Sequence, residues 1–396
     1  MNGTSRRNLF QLCIGAFFAS GARSPVAATG RDFGPTFTAW RGLEIATGDT
    51  CILPAGVNGF NTRAILDSGS GATVIDARFA DRVHLTGGET RTLTGLSGKA
   101  QGRILRDVSI ELDLDVRRAP VVIVGDLGSI AAALGRPVEM LLGADVFADR
   151  CLALDFAGGR FATASSGAFT GGQGWQRLAL AKGAKRELTV TASVAGSPPV
   201  QLMVDTGSST ALMLSTAFLK EQGLLEGRRI SSAVLGGIEG TREVTALTLD
   251  RLTLAGLDVT AVPTLGLLDW QPTGPVGNIG LPVIGQFGVV FDVSRDSLWL
   301  RSGPTVGRLP LLKDRSGLGF AVGADGLTIM HVAAGSPAAS GRWRMGDRIV
   351  RVDGTPISPG YTRDGLWRWR YRSAGTPVRL ELADGEKREI LLADYF

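Results

Sequence analysis

The strongest constraint on this chain is an internal repeat. Arg63-Ala64-Ile65-Leu66-Asp67-Ser68-Gly69-Ser70 returns as Gln201-Leu202-Met203-Val204-Asp205-Thr206-Gly207-Ser208, and each copy leads into a second apolar run, residues 72–75 and 211–214. Further on, Leu142-Gly143-Ala144-Asp145-Val146-Phe147 aligns without gaps on Ile279-Gly280-Leu281-Pro282-Val283-Ile284, and Leu154-Asp155-Phe156 aligns on Phe291-Asp292-Val293. The offset is 138 residues at the first aspartates (205 − 67) and 137 at the glycines (280 − 143). So steady an offset means two copies of one folding unit. Short apolar runs between turn signals, in a chain with 55 glycines and 17 prolines, make each unit mainly β.

Turn chemistry recurs at matching places. Asn58-Gly59 and Ala195-Gly196-Ser197 each follow a strand-like run and precede the aspartate strand, which predicts a hairpin in both copies. Each copy also holds a glycine-punctuated turn, Thr94-Gly95-Leu96-Ser97-Gly98-Lys99 and Leu235-Gly236-Gly237-Ile238-Glu239-Gly240. Ordinary surface turns would account for these. Their position between the aspartate and the later apolar-Gly element favours flaps over a cleft, with Gly95, Gly98, Gly236 and Gly237 lowering the cost of backbone movement.

The first 28 residues read as a targeting segment. Ser5-Arg6-Arg7-Asn8-Leu9-Phe10 is a twin-arginine pattern, residues 9–22 are apolar, and Val26-Ala27-Ala28 offers small residues for cleavage. The apolar run is shorter than the ~20 residues that span a bilayer, so export to the periplasm or medium with cleavage is expected rather than anchoring. No later run is long enough to cross a membrane, so no stable span is expected after cleavage. The formal charge of +5 includes Arg6, Arg7 and Arg23, with no acidic residue before Thr29, so the mature chain carries only about +2. That balance gives no reason to expect a nucleic-acid partner. Cys51 and Cys151 remain after cleavage. In an oxidising compartment they can form a disulfide, and two buried free thiols are the alternative.

The repeat divides the chain into a first lobe over residues 35–165 and a second over 174–302, followed by a linker carrying Gly303, Pro304 and Gly307. A different pattern occupies residues 308–396. Ser316-Gly317-Leu318-Gly319-Phe320 opens a strand, Gly335-Ser336-Pro337-Ala338-Ala339 starts a short helix, and Met345-Gly346-Asp347 and Val352-Asp353-Gly354 bracket another strand. This segment resembles a PDZ domain, a small α+β barrel. The resemblance implies that backbone N–H groups of Gly317, Leu318, Gly319 and Phe320 receive a peptide's C-terminal carboxylate while the following strand pairs with the peptide. The run Leu366-Trp367-Arg368-Trp369-Arg370-Tyr371-Arg372 would be a helix of that domain with its arginines solvated; a membrane or acidic partner is the competing reading.

The chemistry concentrates on Asp67 and Asp205. Two carboxyls brought close together cannot both ionise cheaply, so one keeps a proton and the other accepts one. Such a pair supplies a general base to activate water and a general acid for the leaving group, with no metal and no cofactor. Ser68 and Thr206 can bond across the junction of the two loops, and Gly69 and Gly207 allow close backbone approach. Here the chain resembles retropepsin-type aspartic peptidases, fused in tandem so that one chain supplies both halves. Asp67-Ser68-Gly69 and Asp205-Thr206-Gly207 match the family's Asp-Thr/Ser-Gly, Leu141-Leu142-Gly143 matches its apolar-apolar-Gly element, and Ile279-Gly280 matches that element in part. The resemblance covers roughly residues 35–301. It implies a bilobal fold of two pseudo-symmetric β-barrels and an aspartic-type endopeptidase acting on polypeptide through Asp67 and Asp205.

Two positions depart from the pattern. Asn278 stands where the second lobe should begin its apolar-apolar-Gly element, and Pro282 stands where the family often has Asp or Asn, a place that Asp145 fills in lobe one. All three tyrosines follow Pro359, which sets the chain nearer the retroviral type than the pepsin type. Serine chemistry would need a histidine base. Only His84 and His331 exist, and neither stands where that mechanism would place its base. Two isolated histidines and two distant cysteines also give no zinc-ligand spacing. The alternative to a peptidase is a non-catalytic peptide-binding protein that keeps the cleft and uses the PDZ-like domain for recognition.

Overall fold

Each repeat grows from the same three strands. In the first copy of the computed structural model, Phe60–Asp67 runs parallel beside Met140–Gly143, with Leu66 opposite Leu142 and Asp67 opposite Gly143. Thr73–Asp76 pairs antiparallel with the other edge of Met140–Gly143. The second copy repeats this with Val200–Asp205, Gly277–Gly280 and Leu212–Ser215, placing Asp205 opposite Gly280. The central strand is buried at every residue in both copies. In lobe one, apolar layers on both faces explain why Met140-Leu141-Leu142 reads as a continuous run and not an alternating one.

The structure describes residues 33–396 except 47–49, 95–98, 113–114, 135, 184–186, 238–239, 269, 271–273 and 304–310. The targeting segment and the turn holding Gly95 and Gly98 therefore lie outside the described residues. The hairpins before each aspartate form. Asn58-Gly59 and Ala195-Gly196 both take positive φ at their two turn residues (52° and 80°, 49° and 84°), the conformation that matches strand twist. After the second apolar run each copy enters a six-residue helix, Ala77–Arg82 capped by the Asp76 carboxylate and Thr216–Glu221 capped by the Ser215 hydroxyl.

Around these nuclei, lobe one builds a ten-stranded sheet and lobe two an eight-stranded one. A further six-stranded sheet draws on both lobes, in the order Arg41–Gly42, Arg160–Ser165, Arg150–Asp155, Phe287–Asp292, Ser297–Ser302 and Trp175–Ala179. Its central pairing, Cys151 opposite Asp292 through Asp155 opposite Gly288, joins equivalent strands of the repeat. One apolar core runs through both lobes. The mainly β, two-lobed architecture expected from the repeat is the one that forms.

The cysteines are not bridged. Cys51 sits on Thr50–Val57 in the lobe core, while Cys151 sits in a separate aromatic-rich cluster beside the inter-lobe sheet. Cys151 Sγ donates to Asp292 Oδ2 at 3.3 Å. Burial pushes the two thiols up to about 12 and about 11 respectively. Of the two possibilities, a disulfide and two buried thiols, the thiols are the one that forms, because the two strands pack into different cores.

Residues after 311 form a sheet of their own, in the order Leu318–Val322, Leu327–Val332, Arg348–Val352, Pro377–Leu382 and Lys387–Leu391, over a core that includes Ile329, Ile349, Trp369 and Leu380. The aromatic–basic run is a 3₁₀ helix, Leu366–Tyr371. Trp367 and Trp369 point inward, and Arg370 pairs with Asp314 at 2.7 Å beneath Phe320. This unit docks on lobe two. Ser232 Oγ meets His331 Nε2 at 3.0 Å, and Arg229 Nη1 donates to the Asp394 carbonyl at 2.9 Å. The lobe-one helix Gly128–Leu134 packs against both Ser231–Gly237 and Leu318–Val322.

Candidate active site

Asp67 and Asp205 each end a strand and hold their own turn. Asp67 Oδ1 accepts from the N–H groups of Gly69 and Ser70, both at 3.1 Å, and Asp205 Oδ1 accepts from the N–H of Gly207 at 3.0 Å. The two turns then lock crosswise. The Ser68 hydroxyl donates to the Val204 carbonyl at 2.8 Å and accepts from the Thr206 N–H at 3.0 Å. The Thr206 hydroxyl reciprocates, donating to the Leu66 carbonyl at 2.9 Å and accepting from the Ser68 N–H at 3.0 Å. Both hydroxyl residues are fully buried. Four hydrogen bonds with no water between them fix the two loops against each other.

The close approach explains the glycines. A Cβ on Gly69 would lie 2.6 Å from Asp205 Cγ, and one on Gly207 would lie 2.6 Å from Asp67 Cγ. Any larger residue would push a carboxyl out of place. The later glycine elements brace the same loops, with Ala144 N donating to the Ser70 carbonyl at 2.8 Å and Leu281 N to the Ser208 carbonyl at 3.0 Å.

The carboxyls of Asp67 and Asp205 face each other across the junction, each set against the glycine of the other turn. Asp205 is buried, whereas Asp67 is partly open to solvent. Burial, and then the charge of Asp205, hold the Asp67 carboxyl well above the usual carboxylate range. Burial also raises Asp205, but the amide of Asn278 opposes it most, followed by the N–H of Gly207. One proton shared between unequal partners is the state this environment favours.

Two further polar residues sit at the site. Asn278 is fully buried and donates from Nδ2 to Asp205 Oδ2 at 2.7 Å, while its Oδ1 finds no partner among the described residues. Asp145 takes a bond from the Thr73 hydroxyl at 3.0 Å, and its buried Oδ2 likewise finds none among them. Burial raises its carboxyl to about 6. The signal for Asn278 was in the chain: it breaks the repeat where lobe one has Leu141.

The remaining expected positions fall as follows. Gly237 closes a hairpin opposite Gly240, and Gly236 stands opposite Thr241. An apolar cluster of Met203, Met213, Val244, Leu267 and Trp270 gathers Ala233 and Leu235 of this hairpin. Met203 lies two residues before Asp205 and shares its strand face, so the hairpin base packs on the face that bears the carboxyl. In the C-terminal unit, Gly317 N is bonded to Asp314 Oδ2 at 2.8 Å and Leu318 N to Ser316 Oγ at 3.1 Å. Those two N–H groups are therefore not free to receive a carboxylate, and Leu318 is a core residue. Gly319 and Phe320 remain on the outermost strand of their sheet.

The profile of the aspartyl protease family matches this chain twice, over residues 53–146 and 190–283. Two aspartyl protease-like domains lie in tandem here. The matched segments start and end at equivalent points of the repeat and enclose Asp67 and Asp205. No curated protein matches the chain. The tandem aspartyl protease-like lobes thus account for the mainly β fold up to the inter-lobe sheet, and residues 311–396 fall outside both matches.

Proposed function

We propose that the chain is an aspartic endopeptidase that hydrolyses peptide bonds between Asp67 and Asp205. The observation that carries this reading is the pair of facing carboxyls held by the crossed Ser68 and Thr206 hydroxyls. Water held by the pair gives a proton to the ionised carboxyl as its oxygen bonds to the scissile carbonyl carbon. The protonated carboxyl donates to the carbonyl oxygen, which receives the π electron pair. The tetrahedral intermediate then collapses: the C–N bond breaks, the nitrogen takes the proton drawn from water, and the other carboxyl recovers its own. The rigid, largely buried loops hold these groups without reorganisation, which is where such sites gain most of their advantage.

The twin-arginine segment supports export, and the outermost strand Leu318–Val322 supports pairing with an extended polypeptide at the PDZ-like unit to recruit substrates. The deciding experiment is cleavage of an unfolded protein by the purified mature chain from about pH 3 to 8, a range open to a carboxyl pair. Asp67→Asn and Asp205→Asn should each abolish it. Wild-type inertness across that range, with peptide binding retained, would instead make the chain a non-catalytic peptide binder.

A further inference from the structure

The repeat supplies two chemically equal aspartates, yet the structure surrounds them unequally. In lobe one, the position two residues before Gly143 is Leu141, an apolar residue opposite Ile65. In lobe two the same position is Asn278, flanked in register by Met203 on one side and Met213 on the other. Asn278 is fully buried among these apolar neighbours, and its Nδ2 donates to Asp205 Oδ2 at 2.7 Å. Asp205 Oδ2 thus has a side-chain amide donor from the position that in lobe one carries the hydrocarbon side chain of Leu141. The arrangement is costly, since Asn278 Oδ1 is buried and finds no partner among the described residues. A leucine would carry no such cost, so what offsets it must be the bond to Asp205.

We infer that Asn278 is a positioning residue that fixes the roles of the pair, holding Asp205 as the carboxylate that takes the proton from water and leaving Asp67 as the carboxyl that donates to the substrate. An amide N–H bonds an ionised oxygen more strongly than a protonated one, and a dry, apolar surrounding strengthens that preference. The groups facing Asp205 are Asp67 across the junction, the N–H groups of Gly207 and Ser208 in its own turn, and Asn278 from the neighbouring strand. Asp145 lies behind the lobe-one turn, on Thr73. The direction of the shifts agrees: Asn278 is the largest influence favouring the charged form of Asp205.

This inference rests on the peptidase reading for its catalytic meaning, but its test does not need turnover. Carboxyl ¹³C NMR of aspartate-labelled full-length protein, assigned with Asp67→Asn and Asp205→Asn, follows each carboxyl through pH. In wild type, Asp205 should carry the charge of the singly ionised pair. Asn278→Leu installs the lobe-one residue and should raise the lower macroscopic pKa of the pair by about one unit, the size expected for losing a bond to a charged group, and spread the charge over both carboxyls. Asn278→Ala, which removes the donor without adding bulk, should do the same if the leucine variant folds poorly. Where peptidase activity is present, the acid limb of kcat/KM should move with it, with KM little changed. An unchanged Asp205 titration in a folded variant overturns the inference and leaves the peptidase reading standing. An inert wild type with the shift intact overturns the peptidase reading and leaves the assignment of charge in place.

Discussion

Thr206→Val separates the clamp from every other contribution to the site. Valine keeps the shape of threonine and loses the hydroxyl, so packing is preserved while two bonds disappear. The Ser68 N–H loses its acceptor and the Leu66 carbonyl loses its donor, both across the lobe junction. Thr206 and Ser68 are fully buried, so water cannot replace either bond. A buried polar group left unpaired costs about 1–3 kcal/mol, which places the loss at about 3–4 kcal/mol when the two add with some relaxation. That is a large part of the ~5–15 kcal/mol by which a domain is stable. The affected bonds are local, so native-state hydrogen exchange at the Ser68 amide is the right readout. At 1.36 kcal/mol per tenfold, protection there should fall roughly 100-fold or more. Amides in the Arg348–Val352 strand of the C-terminal unit should be unaffected. A Ser68 amide that stays protected within about threefold of wild type would show that the clamp is not what holds the loops together.

Other outcomes follow from single contacts. Gly69→Ala puts a Cβ 2.6 Å from Asp205 Cγ and should lower kcat at least tenfold while leaving the secondary structure unchanged by circular dichroism. Asp145 has a folded value of about 6 against an ordinary value of 3.8, so the folded state binds the extra proton between those values. Stability should therefore fall as pH rises from about 4 to about 6, and Asp145→Asn should flatten that slope in urea titrations. Cys51 and Cys151 should resist a thiol reagent in the native protein and both react in denaturant without reductant; any requirement for reductant would mean a disulfide.

Much of the fold was legible because the repeat is written in residue types with local meaning. Asn58-Gly59 and Ala195-Gly196 specify their turns through backbone conformation, and the apolar runs before Asp67 and Asp205 specify buried strands. Asp76 and Ser215, which cap the two six-residue helices, are residue types whose side chains favour that position. The cysteines were not legible in this way. Whether Cys51 and Cys151 can meet depends on which core each strand joins, and no local signal carries that. The turn at Gly317 failed for a related reason: its N–H groups are bonded to Asp314 and Ser316, and a Gly-Leu-Gly-Phe pattern does not reveal that.

The chain alone was enough to establish two equivalent β lobes, each presenting an Asp-hydroxyl-Gly turn, because periodicity and turn chemistry are properties of neighbours in sequence. That the two turns interlock through Ser68 and Thr206, and that the carboxyls face each other, could only come from the tertiary structure, since the partners of the clamp lie 136 to 140 residues apart. The inequality of the two aspartates belongs to both levels. One of the broken positions in the repeat, Asn278, is visible in the sequence, but its meaning appears only when the strand beside Asp205 turns that amide onto a buried carboxyl.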